Sequence, residues 1–155
     1  MAPELGRFHG PGRRSDPCPI ANVCALKALA QVPALADSPA VRAGAGMLLR
    51  HWAHEGPAKP YLFGVGSDYR KLKYPLVWYD ILHVADALSH FPFVRQDARF
   101  RNMLDATVAR AGADGRYTAG SMYRAWRGWS FADKDAPSPW LTFLVLRVLQ
   151  RAGVA

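Results

Sequence analysis

Four residues able to exchange protons or bind a metal recur at helical spacing in the middle of the chain: Asp80, His83, Asp86 and His90. Steps of three and four residues place them on one stripe of a helix, within an arc of roughly 120 degrees. Such a stripe can serve as a proton relay or hold a metal, which makes Asp80, His83 and Asp86 the candidate catalytic residues. It also describes the polar face of an ordinary helix, with Asp and His paired to each other and to nearby arginines. A second set is aromatic. Trp78, Tyr79, Tyr117, Tyr123, Trp126, Trp129 and Trp140 gather at helix starts and in the loops before them. Rings so placed can receive a greasy ligand through apolar and cation-π contacts, or pack as a plug that holds helices together. On the first reading Trp78, Tyr79, Tyr123, Trp126, Trp129 and Trp140 are the ligand-binding candidates.

The elements that must position these residues are helical. The last is the plainest: Ser138 supplies an N-cap oxygen, Pro139 suits a first helical position, and Trp140 to Gln150 is apolar apart from Thr142, Arg147 and Gln150. This predicts a helix buried on most of its circumference. Pro19 to Val32 predicts a second such helix, with Asn22, Lys27 and Gln31 as its clear polar members, and Leu76 to His90 a third. Between them lie two helices with one wet face. After the cap Asp37-Ser38-Pro39, the residues Val41, Ala45, Leu48, Leu49 and Trp52 form one stripe; after the cap Asp97, the stripe is Phe100, Met103, Leu104, Thr107, Val108 and Ala111. Met1 to Cys18 reads as an irregular lead-in rich in Gly, Pro and Arg.

These helices repeat. Ala28-Leu29-Ala30-Gln31-Val32-Pro33 aligns with Ala87-Leu88-Ser89-His90-Phe91-Pro92 at an offset of 59, which also lays Val41 on Phe100 and Leu49 on Val108; a further offset of 61 carries Leu88 onto Leu149 and His90 onto Arg151. Each unit is a buried helix, a proline turn, a half-wet helix and a long aromatic connection, over about 19–75, 76–137 and the half unit 138–155 of a single domain. Stacked pairs of this kind predict an all-α fold of about five main helices in two concentric layers or a curved solenoid.

Bulk properties narrow the function classes. In 155 residues no apolar run approaches the roughly 20 that span a bilayer, and Met1 to Arg14 has no apolar core of signal-peptide length, so a cytoplasmic protein is expected. The net charge is +8, with fifteen of twenty basic residues Arg, but the charges are scattered and match no nucleic-acid motif, so nucleic acid is not the expected partner. Cys18 and Cys24 are expected as reduced thiols.

The repeat spacing, together with Ser138-Pro139-Trp140-Leu141-Thr142, Leu146-Arg147-Val148-Leu149, Asp114-Gly115-Arg116-Tyr117 and Lys73-Tyr74-Pro75, resembles the terpenoid cyclase and protein prenyltransferase alpha/alpha-toroid superfamily. More narrowly, it is similar to a partial, C-terminal-like portion of bacterial proteins with prenyltransferase and squalene-oxidase type repeats, over about Gly6 to Gly153. The resemblance implies an incomplete alpha/alpha toroid and an isoprenoid-like ligand for the aromatic rim. It also implies places to look for chemistry. The Asp-x-Asp-Asp acid of the cyclases has no counterpart, since Asp133-Lys134-Asp135 is the nearest approach and reads as a solvated turn. The zinc site of prenyltransferase beta subunits has a partial one, because Asp16-Pro17-Cys18 stands where Asp-x-Cys supplies two ligands. No His occupies the third place near Val77 to Tyr79, and His83 lies one to two turns further on.

With no complete catalytic constellation, the expected function is a non-catalytic helical-repeat module that binds a hydrophobic, isoprenoid-like small molecule or a protein partner. The alternative is a prenyltransferase or terpene-cyclase type enzyme, possibly zinc-dependent. An open arc leaves the flanks of its first and last inner helices bare, and such flanks call for self-association or another chain.

Overall fold

The computed structural model describes residues 18–54, 69–74 and 80–154. Among them the fold is all-α: α1 (Pro19–Leu29), α2 (Pro39–Ala53), α3 (Ile81–Leu88), the single turn α4 (Pro92–Arg95), α5 (Ala98–Val108) and α6 (Pro139–Ala152). The caps follow from side-chain chemistry. Ser38 Oγ accepts the Val41 N–H, Asp97 Oδ1 the Arg99 N–H and Ser138 Oγ the Leu141 N–H. Gly153, at φ 76°, closes α6, with its own N–H on Gln150 O and the Val154 N–H on Leu149 O, a left-handed cap that a side chain would disfavour.

The repeat is visible in the elements. After α1 a 3-10 turn runs Pro33–Leu35, and after α3 the turn α4 begins at Pro92, 59 residues later; α2 and α5 begin at Pro39 and Ala98, again 59 apart. Helices α1, α3 and α6 lie side by side with α3 in the middle, and α2 and α5 pack behind them, α2 against α1 and α5 against α3. Every residue of α3 is buried. The α2 stripe of Val41, Ala45, Leu48, Leu49 and Trp52 enters one core with Phe100, Met103 and Leu104 of α5. Trp52 Nε1 donates to Asn102 Oδ1 across 2.9 Å, pinning the two outer helices together.

Three details differ from the sequence expectation. Helix α1 stops at Leu29 and buries only Pro19, Val23 and Leu26, leaving Ala21, Cys24, Ala25 and Ala28 exposed: among the described helices of its layer it has α3 on one side and none on the other. Helix α6, at the other end, exposes Trp140, Phe143 and Leu146 for the same reason. Val108, the last residue of α5, and Ala111, past its end, fall beyond the core, where the chain leaves the outer layer through the turn at Gly115. No described helix is long and apolar enough to cross a membrane.

α1 and α2 meet closely at Gly44, where an added Cβ would lie 3.0 Å from Asn22 Oδ1 and 3.5 Å from a Leu26 methyl. Gly44→Leu therefore has to push α1 off α2. It is expected to lower the unfolding free energy by about 1–3 kcal/mol, read as a shifted urea midpoint at unchanged slope. A variant with the parental midpoint would contradict this packing.

Candidate functional site

The Asp80–His90 segment is divided by the fold into two places with different chemistry. Asp80 is the N-cap of α3, its Oδ1 accepting the backbone N–H groups of Leu82 and His83 at 3.0 Å each. It is fully buried, and its Oδ2 has no hydrogen-bond partner among the described residues. Burial raises its pKa to about 7, against the opposing pull of those two N–H groups and of Lys73 and Lys27. Lys73 is itself buried, its ammonium 5.1 Å from the centre of the Tyr123 ring. Asp80 thus has the acidity of a proton donor or acceptor at neutral pH, but it is enclosed.

Asp86, almost two turns further along α3, has the opposite surroundings. Lys27 Nζ of α1 approaches its Oδ2 at 3.1 Å, and Arg147 Nη2 and Arg151 Nη1 of α6 both approach its Oδ1 at 3.1 Å. Arg151 Nη1 also donates to the Asp86 carbonyl and to Ser89 Oγ at 2.9 Å. Burial pushes the Asp86 carboxyl up, but the three cations, Lys27 first, outweigh it and hold it below the usual carboxylate range. His90, half-buried on the same side, is lowered by burial and then by Arg151, with Lys27 and Arg147 adding to the effect and Asp86 opposing it. The pairing of Asp with nearby arginines, the plainer reading of the stripe, is what the structure contains at Asp86. His83 is buried between these two carboxylates in sequence. Lys27, Arg147 and Arg151 are the residues that sequence reasoning missed. The signal was present, since the repeat offsets of 59 and 61 carry Lys27 onto Asp86 and Asp86 onto Arg147.

The aromatic residues form a continuous ridge. Trp126, Trp129 and Phe131 contact one another with ring centres 5.6–6.0 Å apart, Phe131 meets Tyr74 at 4.9 Å, Tyr74 meets Trp140 at 6.0 Å, and Trp140 stacks on Phe143 at 5.3 Å. Tyr74, Phe131 and Trp126 are its half-buried middle, while Trp129, Trp140 and Phe143 open to solvent. Tyr123 lies beneath Lys73. The loop is tied to α6 by its backbone: Ser138 N–H donates to Tyr117 O, and Tyr117 N–H to Thr142 Oγ1, both at 3.0 Å. A cleft of about 460 Å³ beside Trp129 is lined by Met122, Arg127, Asp133 and Lys134 among others.

Trp78, Tyr79 and Asp16 lie outside the described residues. Cys18, the other half of the Asp-x-Cys pair, is a half-buried free thiol at the N-cap of α1; Cys24 is free and exposed. The described residues contain no group of three His, Cys, Asp or Glu placed to hold a metal, so no zinc chemistry is derived from them. Asp133 Oδ1 accepts the Asp135 N–H at 2.8 Å in an exposed turn. Comparison with protein-family models, with curated proteins and with solved structures finds no match to this chain.

Asp80 gives a pH test. Its folded pKa is raised, so the native state holds a proton that the unfolded chain releases near pH 3.8. Stability from this group is therefore complete below that pH and is lost as pH rises through about 7. Asp80→Asn keeps the capping oxygen and removes the ionisation. Its stability relative to the parent is expected to improve by on the order of 2–4 kcal/mol between pH 4 and pH 8. A difference independent of pH would show that Asp80 ionises freely in the fold.

Proposed function

We propose that this chain is a non-catalytic helical-repeat module, an alpha/alpha-toroid-like arc left open at α6, that docks a protein partner on the bare face of that helix. One observation carries the reading: Trp140, Phe143 and Leu146, 43, 48 and 47 % exposed, lie on one face of α6 and continue the aromatic ridge. Together they present apolar surface on the order of 300 Å², within the range of patches that mark interaction sites. The face carries a wide-open depression of about 410 Å³ lined by Phe143, Leu146, Arg147 and Gln150. Small-molecule sites enclose most of their ligand, so this surface favours a protein over an isoprenoid-like molecule.

The partner that fits best is a second copy. At the opposite end of the layer the most exposed residues of α1 are small, Ala21, Cys24, Ala25 and Ala28, with Lys27 partly exposed beside them, and the large side chains of α6 can seat against the small ones. Such head-to-tail docking adds α1 of one copy beside α6 of the next, as α3 already lies beside α6. It is a heterologous contact, able to close a ring or to extend. The net charge of +8 opposes it, so added salt strengthens association.

The enzyme reading, of prenyltransferase or terpene-cyclase type, draws on Asp80 and on the Cys18 thiol. Stoichiometric zinc in purified protein, lost in Cys18→Ser, would favour it over the docking module.

Sedimentation velocity tests docking. Mass is expected to rise with concentration over the micromolar range, and Phe143→Glu on α6 and Ala25→Glu on α1 are each expected to weaken association at least about tenfold. A parent protein that stays monomeric, in low and high salt, rules out the second copy as the occupant. Association that survives both substitutions rules out this face.

A further inference from the structure

Asp86 does not neutralise the cations gathered around it. Lys27, Arg147 and Arg151 all approach it within 3.1 Å, which makes three positive charges to one negative. His90 adds no compensating charge, and among the described residues no other carboxylate pairs with these three cations. The surplus is therefore +2.

The hydrogen-bond inventory shows the same excess. An arginine has five N–H donors and a lysine three, thirteen in all for this trio. Arg147 uses Nη2 on Asp86, while its Nε is buried with no partner. Arg151 places only Nη1, shared among the Asp86 carboxylate, the Asp86 carbonyl and Ser89 Oγ. Its Nη2 and Nε make no hydrogen bond among the described residues. The side chains of Lys27, Arg147 and Arg151 are 36, 38 and 23 % exposed, so the cluster borders solvent, although Arg147 Nε itself is buried. They come from two helices that do not pack on each other, α1 and α6, held on either side of α3.

We propose that Lys27, Arg147 and Arg151 form a binding site for a phosphate-class oxyanion, either free or carried as a phosphate monoester on a larger molecule. The charge arithmetic selects the class. A phosphate monoester or inorganic phosphate carries about −1.5 to −2 near pH 7 and cancels the surplus, whereas a carboxylate leaves half of it. Guanidinium forks also match the oxygen spacing of a phosphate and can engage it through two parallel N–H bonds. Asp86 acts within the site as a positioning residue. It holds the three cations close together and, by its own charge, keeps the affinity moderate. The inference rests on charge and donor count; Arg147, whose guanidinium carbon lies 5.9 Å from the centre of the Phe143 ring, borders the apolar face of α6.

The experiment is titration of the full chain with inorganic phosphate, followed by calorimetry at ionic strength held constant with potassium chloride, and repeated with phenyl phosphate. Saturable one-to-one binding is expected for both. Equal affinities identify the free oxyanion as sufficient; tighter phenyl phosphate identifies a monoester on a larger body. Arg147→Gln is expected to weaken binding about tenfold or more, and Asp86→Asn to tighten it by about the same factor, because the competing negative charge is gone. A variant that had merely lost its packing could not bind more tightly. Should Asp86→Asn not fold, Lys27→Met replaces it, with weakening expected. The proposal is overturned if the parent shows no saturable phosphate binding up to 10 mM. It is likewise overturned if Arg147→Gln, or the second variant, leaves the affinity unchanged.

Discussion

The arrangement of the inner helices depends on one buried carboxylate. Asp86 lies on the middle helix of the layer and is reached from one side by Lys27 and from the other by Arg147 and Arg151. Apolar contacts alone would let α1 and α6 slide along α3, since burial is non-directional. The ion pairs fix their register, because a nearly inaccessible charge left without partners is penalised by on the order of 3–5 kcal/mol. The repeat explains why the three residues meet. Positions related by 59 and 61 residues occupy the same level on successive helices, so a lysine, an aspartate and an arginine at equivalent positions become lateral neighbours.

The layer is sequestered unevenly, and this accounts for the apolar composition of its members. Among the described residues only α3 has a helix of the layer on both sides, and only α3 is buried throughout. Helices α1 and α6 carry nearly as many apolar residues but stand at the ends. They differ in what they leave bare: alanines and a cysteine on α1, tryptophan, phenylalanine and leucine on α6. The aromatic ridge follows from the second of these. Trp140, in the first turn of α6, meets Tyr74, which meets Phe131 and through it Trp126. The middle of the ridge is half-buried, and its exposed end is continuous with the exposed face of α6.

Much of this was legible in the residues. Ser38, Asp97 and Ser138 announced three helix starts, because a short polar side chain before an apolar run satisfies backbone donors that nothing else can. The repeat announced the alternation of inner and outer helices. What sequence could not give was position within the layer. The same apolar density is buried in α3 and half-exposed in α6, since periodicity records which residues can be buried and not how many neighbours arrive. The stripe from Asp80 to His90 was legible as spacing only. Asp80 belongs to the cap, where a free side-chain oxygen serves the backbone, and Asp86 to a set of partners drawn from residues 27, 147 and 151. Identity of the partners required the offsets to be applied to polar positions as well as to apolar ones.

The two carboxylates also separate the functions that α3 can support. Both are nearly inaccessible, Asp80 at 0 % and Asp86 at 3 %, so burial alone cannot explain why one pKa rises and the other falls. Counter-ions decide it. Asp80 has two backbone N–H groups on one oxygen and no ion pair among the described residues, whereas Asp86 has three cations within 3.1 Å. The group with an acidity suited to proton transfer is thus the one sealed from any reactant, and the group at the solvent-reachable cation cluster is locked in its ionised form. Proton chemistry needs acidity and access at the same atom. Here they are divided between Asp80 and Asp86: acidity near neutrality belongs to the enclosed carboxylate, and the carboxylate beside the partly exposed cations is held ionised by them.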